Sequence, residues 1–142
     1  MSKLPSVPKP LMSCKSGALQ GAVAVPGDKS ISHRALILGA LAEGRTEIAG
    51  LLESEDILCT ARALRELGAG IEKSDASWIV IGCGPGGLAQ PQTALDFGNS
   101  GTGARLMMGV VAGHPIRALF TGDESLKRRP MGRVLDPLKK MG

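Results

Sequence analysis

Two short stretches of this chain, 71 residues apart, carry the same design, and no other feature constrains the fold as much. In the first, Gly27-Asp28-Lys29-Ser30-Ile31-Ser32-His33-Arg34 follows a strand-like segment ending at Val23-Ala24-Val25-Pro26. A helix-like run from Ile31 to about Leu41 comes behind it. In the second, Leu95-Asp96-Phe97 reads as strand, Gly98-Asn99-Ser100-Gly101-Thr102-Gly103 as turn, and Arg105-Leu106-Met107-Met108 as the opening of a helix. Gly27 matches Gly98 and Arg34 matches Arg105, while Leu67-Gly68 matches Met141-Gly142 at an offset of 74, so a loop in the second copy is longer. A period of this size is a whole supersecondary unit and not one turn of a solenoid.

Read in order, residues 1–18 form an irregular arm and Leu19 to Val25 a strand stopped by Pro26-Gly27. The first helix has apolar positions Ile31, Ala35, Leu38 and Leu41 at helical spacing, which predicts its buried stripe. Thr46 to Leu51 reads as strand, and Ser54-Glu55-Asp56 as the cap of a second helix with Ile57, Ala61, Leu64 and Leu67 inward and Gly68 closing it. Gly70 to Ile81 reads as a hairpin turning at Lys73-Ser74-Asp75. The unit is therefore β-α-β-α-β-β. Ile116 to Thr121 and Pro130 to Met141 supply the next strand and helix, with Pro130 at the first helical position. Here the chain stops where the first copy continues into its hairpin, which predicts a truncated piece of a longer protein. The first unit spans 20–87 and the incomplete second unit 93–142.

The chemistry gathers at the two turns. A helix start leaves backbone N–H groups unpaired at the positive end of its dipole, an anion site. Lys29 and Arg34 add positive charge to the first, Arg105 to the second, and equivalent loops open on the same side of parallel strands to make a two-walled pocket. Lys127-Arg128-Arg129 is a third cationic cluster, from which one arginine turns inward as a clamp on carboxylate or phosphate. Which of Arg128 and Arg129 does so is not fixed by the residues alone. Gly82 to Gly87 fits G-x-G-x-x-G but opens no helix, and reads as a linker. Gly98 to Gly103 has the spacing of a P-loop without its lysine and hydroxyl. His33 reads as structural, Trp78 as packing, and no carboxylate pair stands out as acid and base.

Composition sets the boundaries. Hydrophobic residues make up 43% of 142, enough for a core, yet only 2% are aromatic and 20 are glycine, which suits a layered α/β (α+β) architecture with tight turns. The net charge of +4 favours small anionic partners. With basic residues scattered and only Trp78, Phe97 and Phe120 to stack on bases, nucleic acid is not a predicted partner. The longest apolar run, Ala35 to Ala42, is far short of the roughly 18 residues of a membrane span, so no membrane association is predicted. Cys14, Cys59 and Cys83 share no metal or disulfide spacing and read as free thiols of a cytoplasmic protein.

Pro26-Gly27-Asp28-Lys29-Ser30-Ile31-Ser32-His33-Arg34 resembles a motif of the 5-enolpyruvylshikimate-3-phosphate synthase family, and so do three further stretches. These are Asp96-Phe97-Gly98-Asn99-Ser100-Gly101-Thr102, Thr121-Gly122-Asp123-Glu124-Ser125-Leu126 and Arg129-Pro130-Met131. The resemblance, from about Gly21 to Gly142, implies the enolpyruvyl transferase fold, an inside-out α/β barrel of which about two of six units are present. It implies that the arm to about residue 19 belongs to the other domain. It implies transfer of the enolpyruvyl group of phosphoenolpyruvate to the 5-hydroxyl of shikimate 3-phosphate, by a monomer needing neither metal nor cofactor. Lys29 would contact both substrates and act in catalysis; Ser30 and Arg34 would hold shikimate 3-phosphate; Gly101 and Arg129 would hold phosphoenolpyruvate. Asn99, Thr102 and Arg105 would line the site. The family's aspartate base and remaining arginines would lie beyond Gly142, leaving this piece inactive alone, and Gly101 would make the parent enzyme sensitive to glyphosate. Two alternatives stay open: the related enzyme acting on UDP-N-acetylglucosamine, and a non-catalytic anion-binding module.

Overall fold

The structure is a computed structural model that describes residues 10–142, so the first nine residues of the expected arm lie outside the described residues. Ten elements follow in order: α1 (Lys29–Leu41), β1 (Glu43–Ala49), α2 (Glu55–Glu66), β2 (Gly70–Lys73), β3 (Ser77–Cys83), β4 (Leu95–Asp96), α3 (Gly101–Ala112), β5 (Phe120–Thr121), α4 (Glu124–Lys127) and α5 (Gly132–Met141). The hairpin β2–β3 forms at the expected turn, and β1 adds antiparallel to β3, giving the order β1-β3-β2. In the second unit β4 pairs parallel with β5, Leu95 opposite Phe120 and Asp96 opposite Thr121.

Helix α2 is central, touching α1, α3, β2 and β4. All four residues of its expected stripe, Ile57, Ala61, Leu64 and Leu67, are fully buried. It ends as the glycine requires. Gly68 sits at φ +101°, its N–H donates to Arg65 O at 2.9 Å, and the Ala69 N–H reaches back to Leu64 O at 3.0 Å. These are the paired bonds of a Schellman cap. The hairpin covers α1 and α2 with Ile71, Trp78 and Val80, and the Trp78 indole N–H donates to Glu53 Oε1 at 3.1 Å. On the far side Leu95, Phe97, Met107 and Leu126 extend the core, where the rings of Phe97 and Phe120 stack with centroids 5.4 Å apart.

Four expectations are corrected. Leu19 to Val25 forms no strand: it has no pairing partner among the described residues, and Leu19, Val23 and Val25 are exposed. A strand is held by a neighbour's hydrogen bonds and not by its own composition. The buried face of α1 is also rotated from the expected one, with Ala35 and Leu41 of the expected stripe half-buried. Leu36, Ile37 and Ala40 are buried beside His33, whereas Ile31 and Leu38 are 69% and 64% exposed. Both faces of this helix are apolar, so periodicity alone could not choose between them. Ser54 occupies the N-cap position of α2, but its hydroxyl bonds no helix amide and has no partner. Pro130 lies before the Met131 cap of α5 and not at its first residue: the first amides of α5 bond to Met131 O, while Pro130 O accepts from Arg105 Nη2. The glycine-rich segment after β3 opens no helix, in accord with a linker.

Candidate functional site

Both repeated turns start helices, and each start is capped by its own side chain. Asp28 Oδ1 accepts the Ile31 amide at 2.8 Å, fixing the first turn of α1. Ser32 ties that turn to the neighbouring loop, donating to Asp28 O at 2.7 Å and accepting the Leu52 amide at 3.0 Å. Gly27 completes the join, since a Cβ there would stand 2.2 Å from Gly50 O. At α3, Ser100 Oγ accepts the Gly103 amide at 3.2 Å. The Asp28 carboxylate offsets the positive end of the α1 dipole, whereas α3 is capped by a neutral hydroxyl and carries no acid in its first turn, so the positive end of its dipole stays uncompensated from within the helix.

At the α1 turn, Lys29 Nζ pairs with Asp56 Oδ2 of α2 at 3.0 Å. Ser30 is exposed, and the Arg34 guanidinium folds back to donate to Ser30 O at 3.0 Å. These three residues present an open cationic surface beside a helix start.

The α3 turn is more tightly organised. Arg129 Nη2 donates to Asn99 Oδ1 at 2.6 Å, while Asn99 Nδ2 donates to Asp123 Oδ2 and Ser125 Oγ, each at 2.9 Å. Asp123 also caps α4 by accepting the Leu126 amide at 2.7 Å. The Leu126 backbone bond, and then the Asn99 amide, hold its carboxyl below the ordinary aspartate range, so it stays an anion that anchors the network. Of the two candidate arginines, Arg129 is the one drawn in. A Cβ on Gly101 would stand 2.7 Å from its Nη1 and 3.4 Å from Arg105 Nη1. Gly101 is thus the first residue of α3 and the contact point of two guanidinium groups. Arg105 donates to Pro130 O at 3.3 Å, and its buried Nε has no partner among the described residues. Thr102 sits half-buried in the same turn.

The two repeats do not place their arginines alike. Arg34 lies along its own helix, whereas Arg105 crosses to the loop before α5. What joins the turns is His33, fully buried, with Nδ1 2.9 Å from Thr60 Oγ1 and Nε2 3.5 Å from Ser100 Oγ. Asp56, Asp123 and Ser125 join the site although nothing in the spacing of charges marked them. Two signals pointed to Asp123 and Ser125: the family-like stretch Thr121-Gly122-Asp123-Glu124-Ser125-Leu126, and within it Gly122-Asp123-Glu124 as an N-cap with an acid in the first turn. The site residues line none of the larger clefts. A cleft of about 810 Å³ lies between α3 and α5 and is walled by Met108, Val111, Phe120 and Leu138.

Comparison with known proteins gives a consistent result. A family model described as EPSP synthase (3-phosphoshikimate 1-carboxyvinyltransferase) matches residues 14–142. The chain is 64% identical over 136 residues to the 3-phosphoshikimate 1-carboxyvinyltransferase of Bradyrhizobium diazoefficiens, covering 95% of this chain and 29% of that protein. It is 66% identical over 128 residues to the protein of the same name from Parvibaculum lavamentivorans, covering 89% of this chain and 28% of the relative. Among solved structures, EPSP synthase from Acinetobacter baumannii superposes with a TM-score of 0.81 at 46% identity, over 86% of this chain and 28% of that one. The chain therefore spans under a third of the length of the relatives it matches.

Proposed function

Because the chain belongs to the EPSP synthase family, we propose that it supplies one face of an enzyme that transfers the enolpyruvyl group of phosphoenolpyruvate to the 5-hydroxyl of shikimate 3-phosphate, releasing phosphate. One observation carries the reading: the first residue of α3 is a glycine with the guanidinium groups of Arg129 and Arg105 at its surface. A helix N-terminus with two guanidinium groups is built for a ligand bearing phosphate and carboxylate together, as phosphoenolpyruvate does.

On this reading Gly101 and Arg129 hold phosphoenolpyruvate, and Asn99 aims Arg129 at it. Ser30 and Arg34 hold shikimate 3-phosphate at the α1 start. Lys29 stands between the ligands and exchanges its bond to Asp56 for bonds to both. The reaction adds the 5-hydroxyl oxygen, as it gives up its proton, to C2 of the enolpyruvyl group and a proton to C3; phosphate then leaves from C2 as a C3 proton is removed, restoring the double bond. Charge shifts toward phosphate along this path, and fixed cations stabilise it more in the transition state than in the ground state. Thr102 and Arg105 line the same wall. We further propose a cytoplasmic monomer acting on small anions, with no nucleic-acid partner and no metal or cofactor. The arm to residue 19 is assigned to a second domain.

Two measurements test this. Calorimetric titration of the chain with shikimate 3-phosphate should give a heat that is lost in Lys29→Ala and Arg34→Ala; unchanged binding in both would end the assignment. Residues 14–142 placed in the matching segment of the Bradyrhizobium diazoefficiens relative should sustain turnover. Lys29→Ala in that chimera should lower kcat by about 10²–10³-fold, the usual cost of removing one preorganised charge-stabilising group.

A further inference from the structure

His33 sits where no substrate role accounts for it. Its ring is fully buried at the meeting of α1, α2 and α3, and its neighbours decide where its proton lies. Thr60 Oγ1 donates its single proton to Asp56 O at 3.3 Å, so toward the ring it offers only a lone pair. With that proton committed to Asp56 O, His33 Nδ1, at 2.9 Å, is assigned as the N–H that donates to it. Ser100 Oγ accepts the Gly103 amide and keeps its own proton for the lone pair on Nε2. The result is a one-way chain, from Ser100 O–H to His33, from His33 to Thr60, and from Thr60 to the Asp56 carbonyl.

Every polar atom in this chain is satisfied by the neutral Nδ1–H ring. A charged ring would turn two donors outward and leave the Ser100 hydroxyl proton without an acceptor. Three charged groups act on the ring. Lys29 and Arg34 oppose its protonation, as burial does more strongly, and Asp56 favours it.

The ends of the chain give it meaning. Ser100 caps α3, whose first residue is Gly101, and Asp56 belongs to the first turn of α2, where its carboxylate holds Lys29. We propose that His33 is a positioning residue: as a neutral Nδ1–H imidazole it sets the start of α3 against the start of α1. The phosphoenolpyruvate wall and the shikimate 3-phosphate wall are thereby held at one spacing. The names of the two ligands rest on the enolpyruvyl-transfer reading; the hydrogen-bond chain does not.

Two measurements test it independently. In the 142-residue chain labelled with ¹⁵N-histidine, long-range proton–nitrogen correlation at pH 7 should show a neutral ring protonated at Nδ1, with the Nε2 resonance shifting in Ser100→Ala. A ring protonated at Nε2, averaged or charged would overturn the proposal. In the chimera, His33→Leu removes both bonds at similar volume, His33→Asn reaches as far as Nδ1, and His33→Gln as far as Nε2. His33→Leu should raise KM for phosphoenolpyruvate about tenfold, the scale of one buried hydrogen bond, and more than KM for shikimate 3-phosphate. His33→Gln should restore it and His33→Asn should not. Equal losses for both substrates, or the same loss in all three variants, would reduce His33 to a packing residue and end the proposal. If His33→Leu fails to fold, the Gln–Asn pair carries the comparison. If the unsubstituted chimera does not turn over, the enolpyruvyl reading falls. The Gly101 and Gly103 amide resonances then decide on His33, displaced in His33→Asn and restored in His33→Gln if the proposal holds, and unmoved in both if it does not.

Discussion

At the scale of single residues, Gly101 shows how a missing side chain makes a site. An added Cβ would stand 2.7 Å from Arg129 Nη1, and that guanidinium cannot swing aside freely because Nη2 is held by Asn99 at 2.6 Å. On the enolpyruvyl-transfer reading, Gly101→Ala is therefore expected to weaken phosphoenolpyruvate binding about tenfold through one displaced charge-assisted bond, leaving shikimate 3-phosphate binding unchanged. Calorimetry with each ligand separately checks this, and equal losses for both would contradict it. The residues forming this wall were legible in the sequence as a glycine turn and a basic cluster. The choice of Arg129 over Arg128 came only with the resemblance carried by Arg129-Pro130-Met131 and not from the cluster itself, because it depends on Asn99, Asp123 and Ser125 arriving from elsewhere in the chain. His33 was legible only as structural, since its partners are 27 and 67 residues away.

At the scale of elements, local chemistry decided some outcomes and tertiary partners decided the rest. Helix α2 was readable throughout because one face is apolar and its C-terminal glycine is locally required. Gly68→Ala forces an L-residue to φ +101° and places a methyl 3.3 Å from Ala89 Cβ. A destabilisation of about 1–2 kcal/mol should follow, as for an L-residue held in the left-handed region. For a domain of this size that lowers Tm by roughly 2–8 °C. Thermal unfolding followed by circular dichroism reads it directly, and a Tm within a degree of the parent's would refute the role given to the cap. Helix α1 was not readable in the same way. Its two apolar faces compete, and the winner is set by α2 and the hairpin. The missing strand at 19–25 repeats the lesson, since extended composition needs a neighbour.

At the scale of the whole molecule, a buried neutral histidine links stability to pH. Burial lowers the His33 pKa below its ordinary value of about 6.5, so on acidification the unfolded chain takes up a proton before the folded one. The stabilising contribution is therefore fully present above about pH 6.5 and is lost as pH falls through the folded value. Urea midpoints measured from pH 8 to pH 5 should fall for the parent chain and flatten in His33→Gln. An identical slope in the two proteins would assign the effect to other groups.

On the enolpyruvyl-transfer reading, the bond between Lys29 and Asp56 bears on how the site chooses ligands. The lysine already has an anion of its own, so an incoming molecule competes with a resident carboxylate instead of filling a vacancy. Lys29 is 51% exposed and Asp56 24%, which puts such a pair at no more than about 1 kcal/mol, or roughly a fivefold handicap on affinity. A phosphate dianion outbids that easily, whereas a single carboxylate meets its equal. The ion pair tilts the choice toward ligands that carry more negative charge.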